Sequence, residues 1–363
     1  MFSNSRLLLL LVLLQSCTNA KKSASLLNIS EPVYYSIEDF NSVKKFDTHI
    51  HLNTSETAYI EQAAADNLRF LDIVDDRPFG ITMQEQEKIA VQQINAFPDR
   101  ISYAATFTVK GWDDENWQQQ AITHIKNEMQ KGAVAVKVWK NVGMELKDKN
   151  GNFVMIDNPR FDPILDYLAK NNIPLLGHLG EPKDCWLPLD KMVLHKGYYS
   201  QHPEYHMYLH PEYPSYESHI KAKDHMLEKH PDLHFIGAHL GSLEWNLEEL
   251  TKRLDKFPNM AVDLSRMPEL FLFSKTDWQK TRDFFIKYQD RLLYATDVQV
   301  VETKDIALMK KRSHDSRVRY WTFFVSNERD SEFKGLHLPR EVVDKIYRTN
   351  AEKWIPGTAK NNN

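Results

Sequence analysis

The feature that most constrains this chain is an alternation. From residue 46 onward, eight short apolar runs are separated by longer stretches with helical spacing. The runs cover residues 46–51, 70–74, 101–107, 133–139, 173–178, 233–239, 260–264 and 292–297. Near-continuous apolar runs suit strands buried on both faces. The stretches 117–131, 161–171, 219–230 and 243–257 repeat apolar residues at the spacing of one helix face. Eight strands alternating with helices predict an α/β fold, a parallel sheet closed into a (β/α)8 TIM barrel. The rival, an open doubly wound sheet, calls for a Gly-rich first turn, and no such phosphate loop is found. No internal repeat is apparent. Residues 341–353, after Pro339, read as a final helix.

The chain of 363 residues fits one such domain, since these barrels run about 250 residues or more. Hydrophobic residues at 42% and charged residues at 26% give a globular composition with ample core. A net charge of −4 with no basic run gives no reason to expect nucleic acid. The expected partner is a small molecule, with a homodimer left open.

The first residues read as a targeting signal. Arg6 precedes the run LLLLLVLL, then Gln15-Ser16-Cys17. Such a run makes a secretory signal but is shorter than the ~20 residues of a membrane span. Leu-Gln-Ser-Cys resembles a bacterial lipobox, whose cysteine takes lipid and becomes the new N-terminus. The alternative is an ordinary secretory signal with an incidental cysteine. The expected organisation is a lipoprotein signal at 1–17, a tether at 18–45 with an edge segment near 33–35, and the barrel at 46–357. That places the protein on a membrane of the bacterial cell envelope, facing the periplasm. Cys185 is the other of two cysteines, so neither a disulfide framework nor a thiolate metal site is expected.

One connection is unusually long. More than fifty residues separate His178 from Leu233, and 195–216 is dense in Tyr, His and Pro without a period. Long irregular connections are commonly lids or binding loops, so a lid after the fifth strand is expected. The alternative is a surface excursion of aromatics packed on themselves. His206 and His210 either reach the site from the lid or, the preferred reading, are exposed loop histidines, and His124, His219, His225 and His230 read as solvated helix residues.

The strand ends carry the chemistry. In Phe46-Asp47-Thr48-His49-Ile50-His51, alternation points His49 and His51 the same way, and two imidazoles so placed can hold one cation. The fifth run ends in His178, the sixth in His239 and the eighth in Asp297. Active sites of such barrels are built at the C-terminal ends of the strands. A lone buried histidine is commonly structural; four with an aspartate at one barrel end predict a metal site. In the fourth run, Ala133, Ala135 and Lys137 share one face while Val134, Val136 and Val138 share the other. The valines suit the outer helices, so Lys137 points into the barrel.

The motifs FDTHIHL, GHLGEP, GAHLGS and YATDV, with the closing EVVDKIYRTNAEKWIPG, resemble the amidohydrolase superfamily over residues 46–357. More narrowly, they are similar to the amidohydrolase-related branch, which includes aminocarboxymuconate-semialdehyde decarboxylase and several hydrolases. The resemblance implies a divalent metal, expected to be one zinc ion, on His49, His51, His178 and Asp297. It implies that Asp297 also takes a proton from the attacking water, and that His239 polarises a carbonyl or stabilises an oxyanion. In some superfamily members a strand-four lysine is carboxylated and bridges two metals, with the sixth-strand histidine on the second. Here Lys137 is expected to stay unmodified, as a charged partner of substrate or ligands. The implied activity is hydrolysis of a small carbonyl compound such as a lactone or amide. Non-oxidative decarboxylation is the alternative, and metal-dependent ligand capture without turnover a third.

Weaker candidates complete the reading. Arg77 is either a clamp for a substrate carboxylate or half of a surface Asp–Arg pair. Glu181 either orients a ligand histidine or caps the following segment. Asp263 either supports the site or caps a turn.

Overall fold

The computed structural model describes residues 33–359. The expected signal peptide, Cys17 and tether residues 18–32 lie outside the described residues. Nine parallel strands form one sheet: β1 (Lys45–Leu52), β2 (Leu68–Ile73), β3 (Ile101–Ala105), β4 (Ala133–Val138), β5 (Leu175–Gly177), β6 (Phe235–Gly237), β7 (Met260–Asp263), β8 (Leu292–Leu293) and β9 (Val298–Val300). β1 to β8 pair in sequence order, while β9 pairs with β1. β8 and β9 are two pieces of one barrel strand, and backbone bonds from Thr48 N to Tyr294 O (2.9 Å) and Asp297 N to His49 O (2.8 Å) stitch its middle to β1. The sheet is therefore closed, a (β/α)8 barrel. Among the described residues no helix is long and apolar enough to cross a membrane.

Side-chain alternation builds the interior in two layers. The lower layer is apolar, with Phe46, Leu71, Ile73, Ala135, Leu176, Ile236, Ala261 and Leu293. The closing segment runs as one helical stretch, Arg340–Asp344, a wider turn Lys345–Thr349 and Asn350–Trp354. Its Ala351, Trp354 and Ile355 complete this cluster and plug the barrel floor, with Trp354 Nε1 donating to Asp290 O at 2.8 Å. The upper layer is polar and holds the strand-end residues. Outward residues such as Ile50, Phe70, Val136, Val138, Phe235 and Val262 pack with the helices in the main core.

The structure corrects three details of the periodic reading. β1 carries an irregularity between Asp47 and Ile50, so Phe46 and His49 both belong to the interior. A second irregularity, where β3 meets β4, turns Ala133 outward into the cluster of Tyr103 and Met83. Val134 meets the floor cluster instead of the outer helices, while Lys137 keeps its inward place. Strand eight continues past Asp297, which sits in a break between its two pieces with φ 55°, rather than at its end.

Residues 33–44 also pack on the body. Tyr34 bridges Pro339, Tyr35 Oη donates to Asp344 Oδ1 at 2.8 Å, and Phe40 and Val43 are buried. The long connection after β5 consists of short helical turns, among them Lys196–Gln201, Pro203–Tyr205 and Met207–Leu209. It has a small core of its own from Cys185, Met192, Tyr199 and Met207. His206 is buried there, donating from Nε2 to Leu187 O at 2.7 Å. His219 and His230 are likewise buried rather than solvated.

The floor plug gives a stability prediction. Truncating a buried Trp removes its transfer free energy and leaves a cavity. Trp354→Ala should lower the unfolding free energy in urea by about 3–5 kcal/mol without altering the upper polar layer; a loss below about 1 kcal/mol would contradict the plug.

Candidate metal centre

The site forms where strand ends converge. His49 and His51 come from β1, Lys137 from β4 and Asp263 from β7; His178 and His239 follow β5 and β6; Asp297 lies between β8 and β9. His239 opens a left-handed turn with Leu240 and Gly241 (φ 56°, 57° and 66°). The turn doubles back so tightly that a Cβ on Gly237 would stand 2.7 Å from Gly241 Cα. Left-handed backbone at His239 and Asp297 is uncommon for side-chain-bearing residues and recurs at functional sites.

Hydrogen bonds fix the direction of each ring. His49 Nδ1 donates to Asp263 Oδ2 at 2.7 Å, and His51 Nδ1 to Ile73 O at 2.9 Å. Both rings thereby turn Nε2 inward. His49 Nε2 lies 3.4 Å and His51 Nε2 3.5 Å from Asp297 Oδ1. One donor atom from each of His49, His51 and Asp297 lies within 4.8 Å of the others. His178 Nε2 is buried without a hydrogen-bond partner, and its ring stands 4.3 Å from that of His239. A buried ring nitrogen with no partner among the described residues, on the wall of the same cavity as His51 and Asp297, suits a further nitrogen ligand. The trio His49, His51 and Asp297 therefore fits a divalent metal, with His178 the candidate fourth ligand.

Electrostatics agree with that fit. Burial, then Lys137, lowers the pKa of His49. Burial, then neighbouring cationic groups, lowers those of His178 and His239. Neutral imidazole is the ligating form. Burial would raise Asp297, but His49, His239 and His51 hold it well below the usual carboxylate range, so it is ionised. Asp263 is held low in the same way, chiefly by His49 against the upward push of burial. His49, His239 and Asp263 form a second close trio. There, however, the Asp263 oxygens already accept from His49 Nδ1, the His239 backbone N–H (2.8 Å) and Ser265 Oγ (2.6 Å). Asp263 is thus a support for both histidines, and it also caps the turn after β7, accepting from Ser265 N at 3.2 Å.

Lys137 is fully buried, with Nζ 3.4 Å from His49 Nε2. Arg77 is not a surface pair. Its Nε and Nη2 fork onto buried Asp75 at 2.5 and 2.6 Å, and Nη1 reaches Gln299 Oε1 at 3.1 Å. Glu181 pairs with Lys140 and is given no contact with a ligand histidine. Both residues line the mouth cavity of about 470 Å³ beside His51, His178, His239 and Asp297. The connection after β5 adds His195, Tyr198 and Tyr199 to that wall. His210 stays in that connection, Nε2 donating to Pro203 O at 3.0 Å. The sequence reading missed Asp75, Ser265, Arg266 and Gln299. Ser265 and Arg266 follow β7 directly, so the strand-end rule extended by three residues would have reached them.

Asp263 fixes the tautomer and angle of His49, and loss of such a support typically costs 10–100-fold in metal affinity. Asp263→Asn should therefore weaken Zn2+ binding by about 10–100-fold in competition with a chromogenic chelator, the far-ultraviolet dichroism remaining native; unchanged affinity would contradict the role.

Comparisons agree with this fold. A crystal structure of 2,6-dihydroxybenzoate decarboxylase from Rhizobium superposes with a TM-score of 0.54 at 15% identity, covering 86% of this chain and 98% of that one. A structure of 2,6-dihydroxybenzoate decarboxylase complexed with 2,6-dihydroxybenzoate gives the same TM-score, 0.54, at 16% identity, with 86% and 98% covered. At these identities the likeness speaks for the fold. No curated protein matches the chain. Residues 46–356 match the amidohydrolase family, which spans the whole barrel and every strand-end ligand candidate. The chain belongs to the amidohydrolase family, a family of metal-dependent enzymes.

Proposed function

We propose that this protein is a metal-dependent hydrolase acting on a small carbonyl compound, a lactone, amide or similar carboxylate-bearing molecule. The observation that carries the reading is the convergence of His49, His51 and Asp297 on one point, with His239 Nε2 3.7 Å from the other Asp297 oxygen. The imidazole and carboxylate donors suit zinc. When bound, the cation supplies Lewis acidity, bringing the pKa of water toward neutrality and polarising a carbonyl. In this reading one cation is held, with Lys137 unmodified.

The chain's own residues supply the proton handling. Asp297, ionised and beside the ligand imidazoles, accepts the proton of the attacking water. Ser265 Oγ donates to Asp263 at 2.6 Å, so its oxygen accepts from His239 Nδ1 at 2.7 Å. That chain leaves His239 Nε2 with a lone pair in the neutral ring. His239 therefore first accepts a proton, from Asp297, and as imidazolium donates it to the leaving group. This sharpens the expected oxyanion role: His239 is a hydrogen-bond donor only after it has been protonated. The connection after β5, which walls the cavity, is proposed as the lid.

Non-oxidative decarboxylation is the second reading, because the Rhizobium protein that shares the fold is a decarboxylase. Ligand capture without turnover is the third, and the full donor set speaks against it. The lipid anchor on Cys17, and with it a place on the periplasmic side of the bacterial cell envelope, is part of the proposal.

Two experiments check these readings. Asp297→Asn should lower kcat by about 10²–10⁴-fold while the thermal melt stays native; retained activity would remove Asp297 from the mechanism. Turnover of a lactone, amide and carboxylate panel in 18O-water should place label in the product. Carbon dioxide release without label would establish the lyase reading instead.

A further inference from the structure

The cations that line the mouth cavity are not equivalent. Arg77 is forked onto Asp75, and Lys140 is paired with Glu181. His195 stands between Asp184 (3.1 Å) and Glu269 (3.3 Å). Arg266 differs. It lines the cavity with His239 and Asp297, yet its Nε is buried without a hydrogen-bond partner. The carboxylates that most strongly favour its charge, Glu269 and Glu244, act on it through their charge. They line a neighbouring smaller cavity, not the catalytic one, and Glu269 is already 3.3 Å from His195 Nε2. A guanidinium keeps its charge in any protein environment. The result is a guanidinium that lines the ligand space with no carboxylate hydrogen-bonded to it among the described residues.

The same cavity carries a flat apolar wall. Trp139, with Phe79 edge-on to it at 5.8 Å, lines it together with Tyr198. A guanidinium and aromatic faces lining one cavity match a carboxylate on a planar body.

We propose that Arg266 is the anchor for an anionic group of the substrate, a carboxylate carried on a flat unsaturated or aromatic body, and so a specificity-determining residue of this site. The proposal rests on the reading of the cavity as the substrate site. It moves the carboxylate clamp from Arg77, which Asp75 already occupies, to the opposite side of the metal ligands in sequence, at the end of β7.

The test is isothermal titration of the full chain with benzoate and with its neutral counterpart benzamide, as purified and again after the metal is removed with a chelator. The chelated arm keeps the test independent of the hydrolase reading, because a carboxylate that merely sits on the metal loses its site there. Wild type should bind benzoate at least about ten-fold more tightly than benzamide in both states, a charge-assisted bidentate contact being the stronger kind. Arg266→Gln should erase that preference in both states, and Arg266→Lys, which keeps charge but loses the fork, should reduce it several-fold. A thermal melt accompanies each variant; if Arg266→Gln does not fold, the lysine variant decides. A preference that survives both substitutions, vanishes on chelation in the wild type, or is absent from the wild type overturns the proposal.

Discussion

The structure depends on the seam between the first and the eighth barrel strands. A parallel barrel has no hairpin to bring its ends together, so closure must come from the last strand meeting the first. Here that seam is also where the ligands sit. Asp47, buried in β1, accepts from Thr296 Oγ1 (2.6 Å), Thr296 N (3.1 Å) and His49 N (3.0 Å). Burial pushes its pKa up to about 7, net of these bonds. One carboxyl thus ties the backbone of the histidine pair to the residue preceding Asp297. The bond from Asp297 N to His49 O completes the clasp, and the interruption of strand eight at φ 55° aims the Asp297 side chain at both rings. Left-handed backbone costs an L-residue about 1–2 kcal/mol, and Asp is among the residues that tolerate it best.

The second constraint is the charge of the upper layer. Asp75, Asp263, Asp297 and Lys137 share a space in which burial lowers the pKa of His49, His178 and His239 and of Lys137 itself. Buried charges are tolerated when paired or coordinated. Asp75 is spent on Arg77, and Asp263 on His49 and His239. Asp297 is left with its oxygens facing imidazole nitrogens, the arrangement a cation completes. The apolar layer below, sealed by Trp354, sets the depth at which these groups stand.

Much of this was legible in the chain. The eight runs marked all eight barrel strands because strands buried on both faces are dominated by apolar residues. The strand-end rule found His49, His51, His178, His239 and Asp297 for the same reason: they are the polar residues that end apolar runs. What stayed hidden depends on geometry between distant residues. The irregularity in β1 and the outward turn of Ala133 arise from pairing register, which alternation within one strand cannot report. The pairing of Arg77 with Asp75, two residues away, was within reach; its burial was not, because that depends on how strand two meets the mouth. Glu181 met Lys140 rather than a histidine because the two follow adjacent strands. The buried His206 belongs to a connection with its own small core, where no period announces burial, while His219 is on the buried face of the helix that follows.

The central claim is that the strand-end histidines and Asp297 form one metal site in a barrel closed at that point. Elemental analysis of the purified full chain, beside His51→Ala and His178→Ala variants, tests it most directly. The account predicts close to one divalent cation per chain, zinc first among them, and loss of most of it from either variant. A chain that purifies without a bound cation and takes up none, or keeps it in both variants, would contradict the site; a count near two would show that Lys137 and His239 hold a second ion.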